Sequence, residues 1–176
     1  MDSSAADRAT MPEMSSLKVV CLSDTHLRRG GELPAWCLHH LEGADLIVHC
    51  GDIVAPPVLE QLERLAPVAA VRGNMDALVL KERLPARDVA EIGGVKIGLL
   101  HDPGPALGRV ARLLQKFADC DAVVYGHTHV PEIQRPGRRL ILNPGSPTVP
   151  RSTLGATMLE LTVSSEGTIE PVFVTP

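Results

Sequence analysis

The sequence predicts an α/β fold organised as a four-layer sandwich, in which two mixed β-sheets pack face to face and are flanked by helices. In the first half of the chain, apolar runs of strand length alternate with short helical segments, a pattern typical of a parallel sheet. In the second half, a hairpin pattern and short strands separated by Gly, Pro and Ser turns indicate a second sheet with antiparallel pairs. At 176 residues and 44% hydrophobic content, the chain is long enough for one ordinary domain.

Three strands and two helices are predicted in the first half. The strands are continuous apolar runs, as expected for strands that are buried. Each helix begins at a proline, because the fixed φ of proline suits the first helical turn and its missing N–H is not needed there. In chain order, these elements are expected at residues 17–22, 34–41, 46–50, 56–65 and 68–71.

A different pattern begins near residue 89. Residues 89–92 and 95–100 flank Gly93-Gly94, which is typical of a hairpin with a two-residue turn. Residues 107–118 show the clearest helical periodicity, with apolar side chains on one face and basic side chains opposite. The remaining strands are predicted at residues 122–125, 139–142, 156–163 and 168–174.

The composition of the first residues sets the predicted domain boundary. Residues 1–16 are polar and unpatterned, so we expect a disordered tail there and a single domain over residues 17–176. The tail has neither the basic start nor the apolar stretch of a signal peptide. No apolar run approaches the ~18 residues of a membrane span, and we expect a cytoplasmic protein that does not bind membranes. The four cysteines lack a CxxC spacing and are predicted to be free thiols.

Charge and aromatic content disfavour nucleic acid as a partner. The formal net charge is −4, from 17 basic and 21 acidic residues, and no run of Lys or Arg stands out that could follow a duplex. One Trp, one Tyr and two Phe leave few side chains on which single-stranded bases could stack. Bulk nucleic-acid binding is therefore not expected.

Polar residues of the types that bind metals follow the ends of the predicted strands. Open α/β sheets place their ligand-binding loops at this position. We therefore expect these side chains to meet at one edge of the fold. They stand in five segments, Asp24-Thr25-His26, Gly51-Asp52, Gly73-Asn74, His101 and Gly126-His127-Thr128-His129.

Each of these motifs is weak by itself. Asp-x-His, Gly-Asp and Gly-Asn are common in capped turns, and a single His at a strand end is usually only a polar residue near the surface. The His-x-His motif is stronger, because alternate residues of an extended segment point the same way and place two imidazoles side by side. The joint occurrence decides in favour of a site, since we put the chance that five segments offer such residues by accident at roughly one in twenty.

In this order, the motifs resemble those of the calcineurin-like metallophosphoesterase family, in particular its small bacterial and archaeal phosphodiesterases. The resemblance covers the chain from about residue 17 to residue 149. Asn143-Pro144-Gly145-Ser146 also resembles the loop that follows the His pair in these small phosphodiesterases. The family's fold is a two-sheet sandwich with outer helices, in agreement with the fold class expected above.

The resemblance implies a pair of metal ions and assigns each ligand. Asp24, His26 and His129 would hold one ion, while Asn74, His101 and His127 would hold the other, and Asp52 would bridge both. Carboxylate, imidazole and amide ligands suit manganese, iron, zinc or nickel better than calcium, and we expect Mn²⁺. Asp52, Asn74 and His101 are the residues expected to act in catalysis.

The implied activity is hydrolysis of phosphodiester bonds by attack of a metal-bridging hydroxide. Two divalent ions, two aspartates and one hydroxide would leave about one positive charge, which a phosphodiester monoanion would neutralise. The expected partner is therefore a small phosphodiester substrate, and a homodimer is a further prediction. Many family members carry a histidine after the asparagine, where this chain has Met75. Met75 cannot donate a proton, so good leaving groups should be favoured.

Five further residues are candidates for orienting the ligands or contacting the substrate. Asp76 could hold His101 or His127 in one tautomer, or it could cap the segment that follows it. His49 could orient a ligand, but because it lies within a predicted strand it could equally satisfy backbone groups in the core. Asp102 directly follows His101, at a position where the family usually has glycine, and could crowd the second metal. The five candidates are His49, Asp76, Asp102, Arg72 and Arg151.

Two other functions remain open on the same sequence. One is a phosphomonoesterase or nucleotide phosphatase that uses the same site. The other is a protein-binding scaffold, because the small subunit of the retromer coat resembles this family while its metal site is incomplete. All seven ligand positions are filled here, which favours the enzyme.

Overall fold

The computed structural model describes residues 16–28 and 31–176. The predicted disordered tail, residues 1–16, falls outside the described residues except for Ser16, which directly precedes the first strand. Within the two described ranges, no helix is both long enough and apolar enough to cross a membrane. The cytoplasmic location stays a prediction.

The described residues form ten strands and four helices, which alternate in the first half of the chain. The strands are β1 (Leu17–Leu22), β2 (Leu46–His49), β3 (Val68–Ala70), β4 (Arg87–Ile92), β5 (Val95–Leu100), β6 (Ala122–Tyr125), β7 (Glu132–Gln134), β8 (Leu140–Asn143), β9 (Met158–Val163) and β10 (Ile169–Val174). The helices are α1 (Ala35–Leu41), α2 (Pro56–Glu63), α3 (Leu78–Arg83) and α4 (Arg109–Lys116).

The strands form two mixed five-stranded sheets. The first has the order β10-β9-β1-β2-β3, and the second has the order β4-β5-β6-β8-β7. In the first sheet β1, β2 and β3 are parallel, and β9 pairs antiparallel with β1. In the second sheet β5, β6 and β8 are parallel, with β4 and β7 antiparallel at the edges. The predicted parallel first half and antiparallel hairpin are both confirmed.

Alternation of side chains along the strands produces the layers. Val19 and Cys21 of β1 belong to the apolar layer between the two sheets, whereas Val20 and Leu22 belong to the layer that packs against α1 and α2. On the far side of the second sheet, Phe117 follows α4 and joins a third buried cluster with residues of β6 and β8. Each fully buried Val or Leu contributes about 1.5–3 kcal/mol relative to an exposed one. The predicted two-sheet sandwich flanked by helices is confirmed.

The hairpin between β4 and β5 turns at two glycines. Gly93 and Gly94 have φ of 58° and 81°, and a two-residue turn of this kind requires positive φ at both central positions. A Cβ atom on Gly93 would lie 2.9 Å from the Leu17 side chain. The Gly-Gly pair therefore satisfies both the turn geometry and a close contact with β1.

Two elements were not predicted. Helix α3 buries only Leu80, while Leu78 and Val79 are exposed, so its sequence lacks the periodic apolar face by which a helix is recognised. Strand β7 is three residues long and lies at the edge of its sheet, which is too short for a visible alternation.

Candidate metal centre

The carboxyl ends of the parallel strands position the candidate ligands. Asp24 and His26 lie in the loop after β1, Asp52 after β2 and Asn74 after β3. In the second sheet, His101 directly follows β5, and the Gly126–His129 segment follows β6. The structure brings all seven predicted side chains together at this edge, although their roles as ligands stay predictions.

Three of these side chains form what we call the first cluster, Asp24, His26 and His129. The Nε2 atoms of His26 and His129 are 3.2 Å apart, and the two rings stack with centroids 4.9 Å apart. Asp24 Oδ1 lies 3.3 Å from His129 Nε2 and 3.8 Å from His26 Nε2. Asp24 and His129 are buried, while His26 is half-buried.

Three others form the second cluster, Asn74, His101 and His127. Asn74 Oδ1 lies 3.0 Å from His101 Nε2 and 3.1 Å from His127 Nδ1. The two imidazole nitrogens are 3.3 Å apart. His101 is buried, whereas Asn74 and His127 are exposed, so the second cluster is the more open to solvent.

Asp52 lies between the two clusters. Its Oδ2 is 3.5 Å from His26 Nε2 of the first cluster and 3.5 Å from His101 Nε2 of the second. Its Oδ1 accepts a hydrogen bond from the backbone N–H of Met75 at 2.7 Å. One oxygen is therefore fixed by the backbone, and the other faces both clusters.

Backbone carbonyls orient two of the histidines. His101 Nδ1 lies 2.7 Å from the Cys50 carbonyl, and His129 Nδ1 lies 2.6 Å from the Val149 carbonyl. A carbonyl oxygen can only accept, so each Nδ1 must carry a hydrogen. When these imidazoles are neutral, their Nε2 lone pairs face the clusters, as metal binding requires.

The donor set fits divalent cations. Asp24 Oδ1 is buried and has no hydrogen-bond partner among the described residues, although Oδ2 accepts from Ser23 Oγ at 2.7 Å and from the His127 backbone N–H at 2.9 Å. A buried carboxylate oxygen without a partner costs free energy unless a cation or proton satisfies it. Nitrogen and oxygen atoms from carboxylate, imidazole and amide groups suit transition metals.

Electrostatics in the centre also favour positive charge. Burial opposes ionisation of Asp52, but hydrogen bonds from His101 and the Met75 N–H outweigh it and lower the pKa of this carboxyl group. Burial likewise opposes protonation of His101, but the hydrogen bond to Asp52 and the charge of Asp24 raise its pKa. The carboxylates thus stabilise a positive charge beside them.

The ligand loops have an uncommon backbone conformation. Left-handed φ values are rare outside glycine, are least unfavourable for Asn, Asp and His, and cost of order 1–3 kcal/mol where other contacts enforce them. Among the candidate ligands, φ is 54° at Asp24, 46° at His26, 56° at Asp52, 69° at His127 and 59° at His129. The surrounding hydrogen bonds must therefore hold these loops in place.

Three residues that support these loops were not assigned a role from the sequence. Ser23 Oγ donates to Asp24 Oδ2 at 2.7 Å, and Ser146 Oγ donates to the Asp24 carbonyl at 2.7 Å. Asn143 Nδ2 donates to the Gly126 carbonyl at 3.2 Å. For Asn143 and Ser146 the available signal was the resemblance of their loop to that of small phosphodiesterases.

Asp76 makes no hydrogen bond to His101 or His127 among the described residues, so its orienting role stays a prediction. Asp76 Oδ1 accepts the backbone N–H of Val54 at 2.7 Å, and Oδ2 accepts that of Gly73 at 2.6 Å. Both carboxylate oxygens are therefore used to join the loop after β2 to the loop after β3. The orienting contact of His101 comes from a backbone carbonyl, which sequence patterns do not reveal.

His49 supports the backbone near the centre. Its Nδ1 accepts the Gly51 N–H at 3.2 Å, and its Nε2 lies 3.3 Å from Thr25 Oγ1. Because the side chain is completely buried, desolvation lowers the pKa of His49 to about 4. The neutral ring therefore fixes Gly51, the residue before Asp52, in agreement with the alternative that His49 satisfies backbone groups.

Three polar candidates lie outside the two clusters. Arg72 lines a cavity beside the second cluster, and its guanidinium donates to the Lys81 carbonyl at 2.9 Å. Asp102 lines the same cavity, with Oδ1 accepting the Gly104 N–H at 2.8 Å. Arg151 is exposed, and its backbone N–H donates to the His129 carbonyl at 3.2 Å. Contact with substrate and crowding of a second metal stay predictions.

The fold and the centre together define the class of the protein, a two-sheet α/β protein with candidate metal ligands on its strand-end loops. A model of the calcineurin-like phosphoesterase superfamily domain matches residues 17–166. The chain belongs to this superfamily, and the predicted family is confirmed. Its members bind divalent metals, in agreement with the candidate ligand groups Asp24-His26-His129 and Asp24-Asp52-His101.

Individual relatives agree with this assignment. A probable metallophosphoesterase of Methanocaldococcus jannaschii is 44% identical over 141 residues, which cover 78% of this chain and 71% of the relative. A protein of the same organism named as a phosphodiesterase is 28% identical over 141 residues, 73% of this chain and 83% of its own length. The structure of vacuolar protein sorting 29 from Cryptosporidium parvum matches with a TM-score of 0.72 at 21% identity, covering 92% and 99% of the two chains. At that identity the last comparison shows the fold alone.

Proposed function

We propose that this protein is a phosphodiesterase that uses two divalent metal ions, preferably Mn²⁺. The first cluster would hold one ion and the second cluster the other, with Asp52 as the shared ligand. The observation that carries the proposal is the position of Asp52 Oδ2, which lies 3.5 Å from a histidine nitrogen of each cluster. The buried Asp24 Oδ1, which has no partner among the described residues, supports the first ion.

When bound, two such ions supply an activated water nucleophile and stabilise the charge that develops on the phosphoryl group. The chain's own residues fix where this happens. Cys50 and Val149 carbonyls orient His101 and His129, and the Met75 N–H fixes one oxygen of Asp52. This arrangement is made before substrate arrives, so little reorganisation is needed during the reaction.

Diester rather than monoester hydrolysis is proposed from charge and from Met75. With two ions bound the centre would retain about one positive charge, which matches a diester monoanion better than a monoester dianion. Met75 is 46% exposed beside Asn74 and has no proton to donate to a leaving group. The name of the Methanocaldococcus jannaschii phosphodiesterase supports the same choice.

The test is metal analysis of the purified protein together with hydrolysis assays. We expect bound transition metal, and faster turnover of bis(4-nitrophenyl) phosphate than of 4-nitrophenyl phosphate or of a dialkyl diester. Faster monoester turnover would favour the phosphatase alternative. Absence of transition metal and of turnover on all three esters after Mn²⁺ is added would favour the protein-binding scaffold. The homodimer stays a prediction.

Replacement of Asn74 by aspartate tests the charge argument. Asn74→Asp adds a negative charge to the more open cluster and removes the surplus positive charge of the loaded centre. We expect metal to be retained and KM for bis(4-nitrophenyl) phosphate to rise about tenfold, because one added charge repels the anion. Full metal loading with unchanged kcat and KM would contradict the argument.

Metal binding should stabilise the folded chain. At a free Mn²⁺ concentration about 100 times the dissociation constant, one bound ion adds about 2.7 kcal/mol and raises Tm by about 5 to 10 °C. His127→Ala, which removes a nitrogen of the second cluster, should reduce this rise. His39→Ala is the matched control, since His39 is also exposed but lies on α1. An equal rise in both variants would contradict a role for His127.

A further inference from the structure

A cavity of about 440 Å³ adjoins the second cluster. All three residues of that cluster line one part of it. Among the described residues, its other charged lining consists of three cationic side chains, Arg72, Arg87 and Lys116, and one carboxylate, Asp102. The cavity is therefore continuous with the proposed reaction centre and positively charged.

The three cations come from different parts of the fold. Arg72 follows β3, Arg87 is the first residue of β4, and Lys116 is the last residue of α4. The Arg72 guanidinium is anchored by its hydrogen bond to the Lys81 carbonyl. Within residues 16–28 and 31–176, the side chains of Arg87 and Lys116 make no hydrogen bond or ion pair. They are free to contact a ligand.

This concentration of cations opposes the overall charge of the chain. The formal net charge is −4, and several surface cations are paired, for example Arg83 with Glu63 and Arg135 with Glu170. Of the described residues that line the cavity, Asp102 is the one carboxylate beside three cations, and its Oδ1 accepts the Gly104 N–H. Like charges in one concave space raise its potential and favour an anion there.

We infer that this cavity is a subsite for a second anionic group of the substrate. The preferred substrate class is then a phosphodiester in which one ester substituent carries its own negative charge. The inference rests on the proposed function, because it takes the two clusters as the place of the phosphoryl group. It adds Arg87 and Lys116 as residues that determine specificity.

The test compares two diesters that differ only in this charge, 4-nitrophenyl 3-carboxyphenyl phosphate and 4-nitrophenyl 3-carbamoylphenyl phosphate. Both release 4-nitrophenolate, so the chemistry at the reacting phosphorus is matched. We expect kcat/KM to be about fivefold higher for the carboxylate, since exposed ion pairs are individually weak but three cations act together. The preference should decrease with added salt, because ions screen exposed charges.

Variants assign the preference to named side chains. Arg87→Gln and Lys116→Gln should each bring the ratio of the two kcat/KM values closer to one, and the double variant should remove the preference. Arg87→Lys and Lys116→Arg should retain it. Asp102→Asn should increase it, because the opposing carboxylate is lost. Arg138→Gln, an exposed arginine that does not line this cavity, is the matched control and should leave the ratio unchanged.

A binding measurement separates this inference from the proposed function. Calorimetric titration of the Mn²⁺-supplemented protein with 3-carboxyphenylphosphonate and with 3-carbamoylphenylphosphonate needs no turnover. Tighter binding of the carboxylate that is lost in the double variant would support the subsite, even if neither diester is hydrolysed and the phosphodiesterase proposal fails. Hydrolysis of both diesters at equal kcat/KM, or equal binding of both phosphonates, would overturn the subsite.

Discussion

Replacement of Asp52 by asparagine should reduce kcat/KM for bis(4-nitrophenyl) phosphate by on the order of 1,000-fold. Asp52 Oδ1 accepts the Met75 N–H at 2.7 Å, and an amide oxygen can keep this bond. The amide nitrogen would then replace the oxygen that faces His26 and His101. This amide nitrogen has hydrogens where the carboxylate oxygen had a lone pair for a metal ion, and the substitution also removes the negative charge shared by the two clusters.

Two controls distinguish loss of this group from loss of the fold. Asp119→Asn changes an exposed aspartate just after α4 and should leave activity unchanged. The thermal transition of Asp52→Asn without metal should remain cooperative, since its backbone contact is kept. Residual activity within tenfold of the original protein, with full metal content, would show that Asp52 is not the shared ligand.

Replacement of Gly73 by alanine should disrupt the centre, although Gly73 has no side chain that could bind a metal or react. An added Cβ would lie 2.1 Å from Asp52 Oδ1 and 2.2 Å from the Asp52 backbone nitrogen. Because one of these is a backbone atom, the loops after β2 and β3 must separate. We expect a loss of about 2 to 3 kcal/mol in the free energy of unfolding. Displacement of ligands by about 1 Å should reduce activity roughly 100-fold.

Gly31→Ala provides the matched glycine control. Its added Cβ would meet its nearest neighbours at 3.5 Å, which is ordinary contact, so stability and activity should be retained. Chemical denaturation and assays on the same preparations measure both effects. If Gly73→Ala is as stable and active as Gly31→Ala, then close approach of the two loops is not needed for the centre.

Much of the fold was predictable because burial imposes simple patterns. Strand β6 was expected over residues 122–125 and is found at Ala122–Tyr125, since a fully buried strand is a continuous apolar run. The ligand-type residues could be predicted to converge because each follows the carboxyl end of a strand. His127 and His129 were expected in an extended segment, yet both have left-handed φ. Their positions in different clusters agree with the grouping that the resemblance implied.

Other features depend on contacts between distant segments and leave no local pattern. The Val149 carbonyl orients His129 across 20 residues of sequence, and Ser146 supports Asp24 across 122. In the sequence, Asp76 cannot be distinguished from a carboxylate that orients a histidine. In the structure, its two oxygens accept backbone N–H groups of separate loops. Such roles follow from the path of the chain, which residue types and spacing do not specify.

Anomalous X-ray scattering from crystals grown with Mn²⁺ tests the proposed two-metal centre most directly. We expect two peaks about 3.5–4 Å apart, one in contact with Asp24, His26 and His129 and the other with Asn74, His101 and His127, with Asp52 in contact with both. Data that show no peak at either cluster, or a single peak that Asp52 does not contact, would contradict the account.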